Sequence, residues 1–226
     1  MKPVIVFDLN ETLLDMSAID PAFGRIFGQS EASELRKKWF TQVLELFLTA
    51  TVIDRYRSFD KLTEDALQMI AAKRGGETSA ADRDTLRHAL GQIPAYPDVR
   101  SGLERLKDAG FTVATLTNST EQSATKLLEH AGLRELFDQL LSADTVERYK
   151  PAREAYAYAA KELEVQLGEV YLVASHAWDI AGAKAAGCKT AFVARPEKVL
   201  SPGSPKPEIE ARDVRDLAEQ LVSKNA

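Results

Sequence analysis

Cysteine is nearly absent from this chain of 226 residues: Cys188 stands alone, so no disulfide can form within it. Set between Ala186-Gly187 and Lys189, it reads as a small core residue rather than a reactive thiol. Long apolar runs are missing as well. No stretch approaches the roughly 18 to 20 apolar residues that cross a bilayer, and Val4-Ile5-Val6-Phe7 is too short for a secretory leader. A cytoplasmic protein without a membrane partner is therefore expected. There is no basic block either, because 29 Lys and Arg are scattered among 34 Asp and Glu, giving a formal net charge of −5. Nothing in that pattern suits a nucleic acid backbone. What is plentiful is apolar content, at 45%, enough for one substantial core with or without a smaller module.

Short apolar runs rich in β-branched residues recur at Val4–Phe7, Phe111–Leu116, Val170–Val173 and Thr190–Val193, with a weaker one at Phe137–Leu141. Most precede a segment of helical periodicity. Continuous rather than alternating runs mark strands buried on both faces, so the spacing predicts a doubly wound, Rossmann-like α/β core with a parallel sheet. Between the first strand and a helix at Asp98–Ala109, no convincing strand occurs. Apolar residues at helical spacing predict helices at Glu31–Ala50, Leu62–Lys73 and Ala80–Leu90, an inserted helical module. Asp98 is placed to cap the helix that follows Pro94-Ala95-Tyr96-Pro97. Ser201–Pro207 reads as a loop before a last helix at Val214–Val222.

Ligands of such sheets sit beyond the carboxyl ends of the strands. Four polar clusters lie there: Asp8–Thr12, Thr117–Thr120, the segment at Lys150, and Ser175–Asp179. Each has an ordinary reading. Asp8 can cap a turn or act as a nucleophile; Thr117-Asn118-Ser119-Thr120 can cap a helix or hold an anion at its N-terminus. Lys150, followed by Pro151, can be a surface lysine, and Ser175-His176-Ala177-Trp178-Asp179 can be a helix start.

Taken together, in order and spacing, the four clusters resemble the motifs of the haloacid dehalogenase superfamily. The resemblance spans nearly the whole chain and is nearest to the L-2-haloacid dehalogenases. It rests on Phe7-Asp8-x-x-x-Thr12-Leu13-Leu14-Asp15, Leu116-Thr117-Asn118-Ser119, Tyr149-Lys150-Pro151 with Tyr156, and Ala177-Trp178-Asp179-x-x-Gly182-Ala183. It implies a core domain of residues 1–16 and 95–226 and a helical cap domain of 17–94. Asp8 would attack the carbon bearing the halogen, and the resulting ester would be hydrolysed. Thr12 would hold the Asp8 carboxylate and Lys150 would keep it ionised. Thr117 and Asn118, with backbone amides near Leu9 and Asn10, would receive the substrate carboxylate or the halide. Arg36, near the start of the long cap helix, would supply a further cation, and Trp39 and Phe40 would either wall a small pocket or fill the core. Small anionic organic substrates and halide are the implied partners; a homodimer accords with the resemblance.

Asn10 separates this reading from phosphatases of the same superfamily. Those carry a second Asp there because an alkoxide leaving group needs a proton, which an amide cannot supply. Ser175 occupies a position where they place a Mg²⁺-binding carboxylate, and a neutral hydroxyl suits a hard cation poorly. A halide leaves without a proton, so no metal and no cofactor is expected. Three positions depart from the dehalogenase pattern: Asn10 replaces Tyr, and Ala174 and His176 replace Ser and Asn. His176, three residues before Asp179, either activates the hydrolytic water with that carboxylate or packs against Trp178. Two rivals remain open at this point: a Mg²⁺-dependent phosphatase and a non-catalytic anion-binding relative.

Overall fold

The computed structural model describes residues 2–225. Strands β1 (Val4–Phe7), β2 (Val113–Thr117), β3 (Gln139–Ser142), β4 (Val170–Ala174), β5 (Lys189–Val193) and β6 (Ile209–Ala211) form one parallel sheet in the order β3-β2-β1-β4-β5-β6. All residues of β1, β2 and β4 are buried, which is why those strands read as unbroken apolar runs. β1 lies between β2 and β4, at the point where the chain's progress across the sheet reverses, and the crevice beyond its carboxyl end holds Asp8.

Two strands start two residues later than expected. Phe111 still belongs to the turn that ends a helix, its N–H bonding Leu106 O at 3.1 Å, so β2 begins at Val113. Phe137 packs edge-on against Phe7 with ring centroids 6.4 Å apart, and β3 starts at Gln139. β6 was not legible at all: Ile-Glu-Ala is too short to show a period, and only pairing with β5 makes it a strand.

The segment between β1 and β2 is helical, as its periodicity predicts: α1 (Asp20–Phe27), α2 (Ala32–Val52), α3 (Phe59–Lys73) and α4 (Ala80–Leu90) precede α5 (Val99–Asp108). α1 was not foreseen, although Pro21 at its first turn suits a helix start. Trp39 belongs to the interior of this layer. It lies 5.5 Å from the Phe23 ring, and its indole N–H donates to Thr63 O at 2.9 Å, so it fills the core. The two connections between helical layer and sheet run side by side, with Asp15 N–H bonding Pro94 O and Tyr96 N–H bonding Leu13 O, both at 2.9 Å.

Asp98 does not cap α5 with its side chain. Its carboxylate takes a bidentate contact from Arg195 at 2.7 and 3.0 Å and accepts from Val214 N–H at 2.8 Å. A buried guanidinium needs that fork of acceptors more than a solvated helix end needs a cap. Arg195 also donates through Nε to Thr12 O at 2.9 Å and lies 4.0 Å over the Tyr96 ring. One side chain thereby ties the returning connection to the loop that carries Asp8.

The remaining helices are α6 (Glu121–His130), α7 (Arg153–Glu162), α8 (Ala177–Ala186) and α9 (Val214–Lys224). α8 passes so near Lys150-Pro151 that a Cβ on Gly182 would sit 2.3 Å from Pro151 Cβ and 2.7 Å from the Tyr156 hydroxyl. This close approach brings Asp179, one turn earlier, onto Lys150. Gly182→Ala is therefore expected to cost about 1–3 kcal/mol and roughly 2–12 °C in Tm by calorimetry. An unchanged Tm would contradict the packing described.

Candidate active site

Asp8 leaves β1 into a tight turn in which Leu9 O accepts from the N–H groups of Thr12, Leu13 and Leu14 at 3.2, 2.8 and 3.0 Å. That turn holds Glu11 at φ 59°, in the left-handed region that residues other than glycine adopt uncommonly. It also carries Thr12 back over the nucleophile position. The Thr12 hydroxyl donates to Asp8 Oδ2 at 2.8 Å and accepts from Ser175 N–H at 3.0 Å. Leu9 is buried and Asn10 is half-buried at the edge of the crevice.

Lys150 is fully buried and sits between two carboxylates, 2.9 Å from Asp8 Oδ1 and 2.6 Å from Asp179 Oδ2. The Tyr156 hydroxyl donates to the other Asp179 oxygen at 2.7 Å. Burial alone would raise the pKa of Asp8, but the adjacent Lys150 ammonium, helped by His176, outweighs it and holds the carboxyl well below its ordinary range. Burial lowers Lys150 in the same way, and Asp179 and Asp8 raise it more. Asp179 is pushed up by burial and by the charge on Asp8, partly offset by Lys150. A single ammonium between two acids favours ionisation of the one that also has Thr12 and His176.

Asn118 takes up Lys150 rather than facing the crevice: its Oδ1 accepts from Lys150 N–H at 2.9 Å and its amide donates to Lys150 O at 3.3 Å. Thr117 accepts from Ser119 N–H at 3.1 Å, shaping the turn before α6, which Thr120 caps. Asn118 is thus joined to the backbone of Lys150, because β2 lies next to β1 and its exit loop meets the Lys150 segment.

His176 lies between two acids. Its Nε2 is 2.9 Å from Glu11 Oε2 and its Nδ1 is 3.4 Å from Asp8 Oδ2, the latter without hydrogen-bond alignment. Trp178 stacks on the imidazole at 5.2 Å and 26°, and Phe40 approaches from α2 at 6.0 Å. Burial depresses the imidazole pKa, but the contacts with Asp8 and Glu11 prevail and raise it. Glu11 is itself held below its ordinary value by His176 and Lys198 despite burial. The expected pairing of His176 with Asp179 is replaced by pairing with Glu11, since Asp179 points the other way, onto Lys150 and Tyr156.

Arg36 does reach this site from α2. Its Nε lies 2.5 Å from Asp20 and its Nη1 lies 3.8 Å from Glu11, so the guanidinium already faces two carboxylates. Glu11 and Lys198 are the residues that sequence reasoning missed. Glu11 stood inside a motif already singled out, but its left-handed backbone is invisible in residue types. Lys198 lies beyond β5, far from every motif. The buried Ser175 Oγ, His176 Nδ1 and Trp178 Nε1, all on the turn from β4 into α8, have no hydrogen-bond partner, and of these His176 Nδ1 lies 3.4 Å from Asp8 Oδ2. Among the described residues, no group of three or more His, Cys, Asp or Glu side chains is arranged to hold a metal ion. None of the described helices is long and apolar enough to cross a membrane.

A doubly wound sheet carrying a buried, lysine-held aspartate at the tip of its first strand defines a hydrolase that works through a carboxylate. The chain belongs to the haloacid dehalogenase-like hydrolase family, whose model matches residues 2–187. It is 36% identical over 200 residues to (S)-2-haloacid dehalogenase 1 of Pseudomonas sp. (strain CBS-3), covering 88% of each chain. It is 32% identical over 215 residues to the (S)-2-haloacid dehalogenase of Pseudomonas sp. (strain YL), covering 95% of this chain and 92% of the relative. Among solved structures, the L-2-haloacid dehalogenase of Xanthobacter autotrophicus with chloropropionic acid covalently bound superposes with a TM-score of 0.93 at 25% identity, over the full length of both chains.

The pKa directions fix the sign of the site's pH dependence. Asp8, lowered on folding, stabilises above its unfolded value of roughly 3.9 and loses that contribution as pH falls through the folded one. His176, raised on folding, stabilises below roughly 6.5 and loses its contribution as pH rises through its folded value. His176→Asn is therefore expected to lower stability most in mildly acidic buffer, with the gap from the parent closing toward alkaline pH in denaturant titrations. A gap that widens with pH would contradict the pairing with Glu11 and Asp8.

Proposed function

We propose that this enzyme hydrolyses short 2-haloalkanoic acids to 2-hydroxy acids through an ester on Asp8. The observation that carries the reading is the buried Lys150 ammonium 2.9 Å from Asp8, which keeps a carboxylate ionised where water is scarce. The relatives' activity on 2-haloacids and the covalent chloropropionic acid in a close structural neighbour support it. Residues 17–94 serve in this reading as a cap domain over a core of 1–16 and 95–226.

An ionised, weakly solvated Asp8 oxygen attacks the carbon bearing the halogen; a carbon–oxygen bond forms as the carbon–halogen bond breaks, and halide departs with the electron pair. Arg36 and the unpartnered polar atoms of Ser175 and Trp178 offer positive charge and hydrogen bonding to the substrate anion and the halide. Water then adds to the Asp8 carboxyl carbon. His176 takes its proton, and collapse of the adduct returns Asp8 as a carboxylate and frees the 2-hydroxy acid.

Timing follows from electrostatics. In the resting protein Asp8 and Glu11 raise the affinity of the His176 imidazole for a proton. Esterification erases the charge on Asp8 and removes one of the two contacts that raise the imidazole, so a proton held there passes to solvent and the neutral ring is the base at the step that needs one. Glu11 keeps the ring oriented through Nε2, leaving Nδ1 toward the ester. Cleavage of a phosphate monoester would ask for a proton donor where Asn10 stands, and no observation favours that alternative.

Asp8→Asn is expected to lower halide release roughly 10⁴-fold or more. A single turnover of the parent in ¹⁸O water should place label in Asp8 before product; label directly in product would sink the ester scheme. His176→Asn and Glu11→Gln are expected to leave a stoichiometric halide burst but slow its successor, with His176→Asn reducing ester hydrolysis by roughly 10²–10⁴-fold. Intact-mass spectrometry should then show the ester accumulating on both variants. Steady turnover at the parent's rate without accumulation would remove His176 and Glu11 from the hydrolytic step.

A further inference from the structure

Lys198 belongs to none of the four polar clusters, yet its ammonium ends on the oxygen that faces His176. Glu11 Oε2 accepts from Lys198 Nζ and lies 2.9 Å from His176 Nε2, so an ammonium and an imidazole share one carboxylate oxygen. Two hydrogen bonds to one atom hold their donors within about 6 Å of each other. The chain after β5 is shaped to deliver this contact. Arg195 is anchored by Asp98 and by Thr12 O, and Lys198 N–H closes a turn onto Arg195 O at 3.0 Å. Within that turn Glu197 has φ 64° and pairs with Lys37 of α2 at 2.5 Å. The Lys198 ammonium comes to rest 6.0 Å from the centroid of Phe40, the ring that also approaches His176.

We propose that Lys198 is a positioning residue for ester hydrolysis, taking up part of the Glu11 charge so that His176 stands neutral, with Nδ1 free, when water attacks. This rests on the proposed reaction at Asp8 and deepens it. The charged groups around the ring come from four elements. Asp8 faces Nδ1 from the end of β1, with Lys150 behind it, and Glu11 faces Nε2 from the loop that follows. Arg36 of α2, itself paired with Asp20, reaches Glu11 Oε1 at 3.8 Å, and Lys198 reaches Oε2 from beyond β5. Trp178 and Phe40 pack on the ring without charge. Asp8 and Glu11 raise the ring's affinity for a proton, and Lys198 lowers it. Once Asp8 is an ester, Glu11 is the remaining acid, and a carboxylate already paired with an ammonium holds a second cation weakly. Without Lys198 the undivided charge of Glu11 would favour the imidazolium in the ester, and the base would be available only at higher pH.

The test compares the parent with Lys198→Met and Lys198→Arg; the side chain is half-buried, so neither change opens the core. Each protein is given 2-bromopropanoate for a single turnover, and decay of the Asp8 ester is followed by quenched intact-mass spectrometry from about pH 5 to about pH 9. In the parent the decay rate should rise with pH to a plateau. Lys198→Met should move the midpoint up by about one unit, slowing decay about tenfold below it and leaving the plateau in place, and Lys198→Arg should restore the parent's midpoint. Slower decay with an unmoved midpoint, as the loss of a mere tie between α2 and this loop would give, overturns the proposal. A second readout needs no turnover. In Asp8→Asn, which like the ester has no charge at residue 8, ¹⁵N NMR titration of His176, assigned by its loss in His176→Asn, should show the same upward shift when Lys198→Met is added. An imidazole midpoint that stays in place overturns the proposal as well. If 2-bromopropanoate yields neither halide nor ester while the NMR shift is present, the dehalogenase reading fails and the charge relation of Lys198, Glu11 and His176 stands.

Discussion

One ammonium governs this structure. Lys150 has no exposed surface and its ammonium is shared by Asp8 and Asp179, so three buried ionisable groups stand or fall together. Burying an ion costs several kcal/mol, and it is tolerated only when hydrogen bonds satisfy what water would have satisfied. The surrounding architecture meets that demand piece by piece. Asn118 clamps the lysine's backbone, Tyr156 serves the far oxygen of Asp179, Thr12 serves the second oxygen of Asp8, and the absent Cβ of Gly182 lets α8 come close enough to deliver Asp179.

A second set of charges runs across the crevice. Glu11 is approached by His176, Arg36 and Lys198, which come from α8's N-terminal turn, from α2 and from the loop after β5. Helical layer and sheet domain therefore meet on a carboxylate, and the strained backbone at Glu11 is what aims it there. The charge on Asp8 couples the two sets through His176. In the proposed reaction a covalent bond at Asp8 lowers the imidazole's affinity for a proton, so that one pocket serves first an anionic nucleophile and then a general base.

The parallel sheet and the helical insertion were legible because buried strands and amphipathic helices write different periods into the chain. β6 was not, since three residues carry no period, and α1 was hidden in a stretch of mixed residues. Of the site, Asp8, Thr12, Lys150 and Asp179 were legible as polar residues at strand ends, and they do converge. The partner of His176 was not: Asp179 and Glu11 both offer a carboxylate, and the choice depends on the direction in which α8 leaves its strand. Lys198 and Arg195 were invisible for a related reason, because each owes its place to β5 lying beyond β4 in the sheet. The contact of Asn118 with the Lys150 backbone was not legible either, since an amide beside a helix start suits an anion and a peptide group equally well.

The most direct test is ¹³C NMR titration of the Asp8 carboxyl in protein labelled at aspartate, compared with Lys150→Met. The account predicts that Asp8 in the parent stays ionised well below the ordinary aspartate midpoint of roughly 3.9. It also predicts that loss of the lysine moves the titration above that midpoint. A parent Asp8 that titrates at its ordinary value, or one that the substitution does not move, would contradict the claim that Lys150 makes the nucleophile.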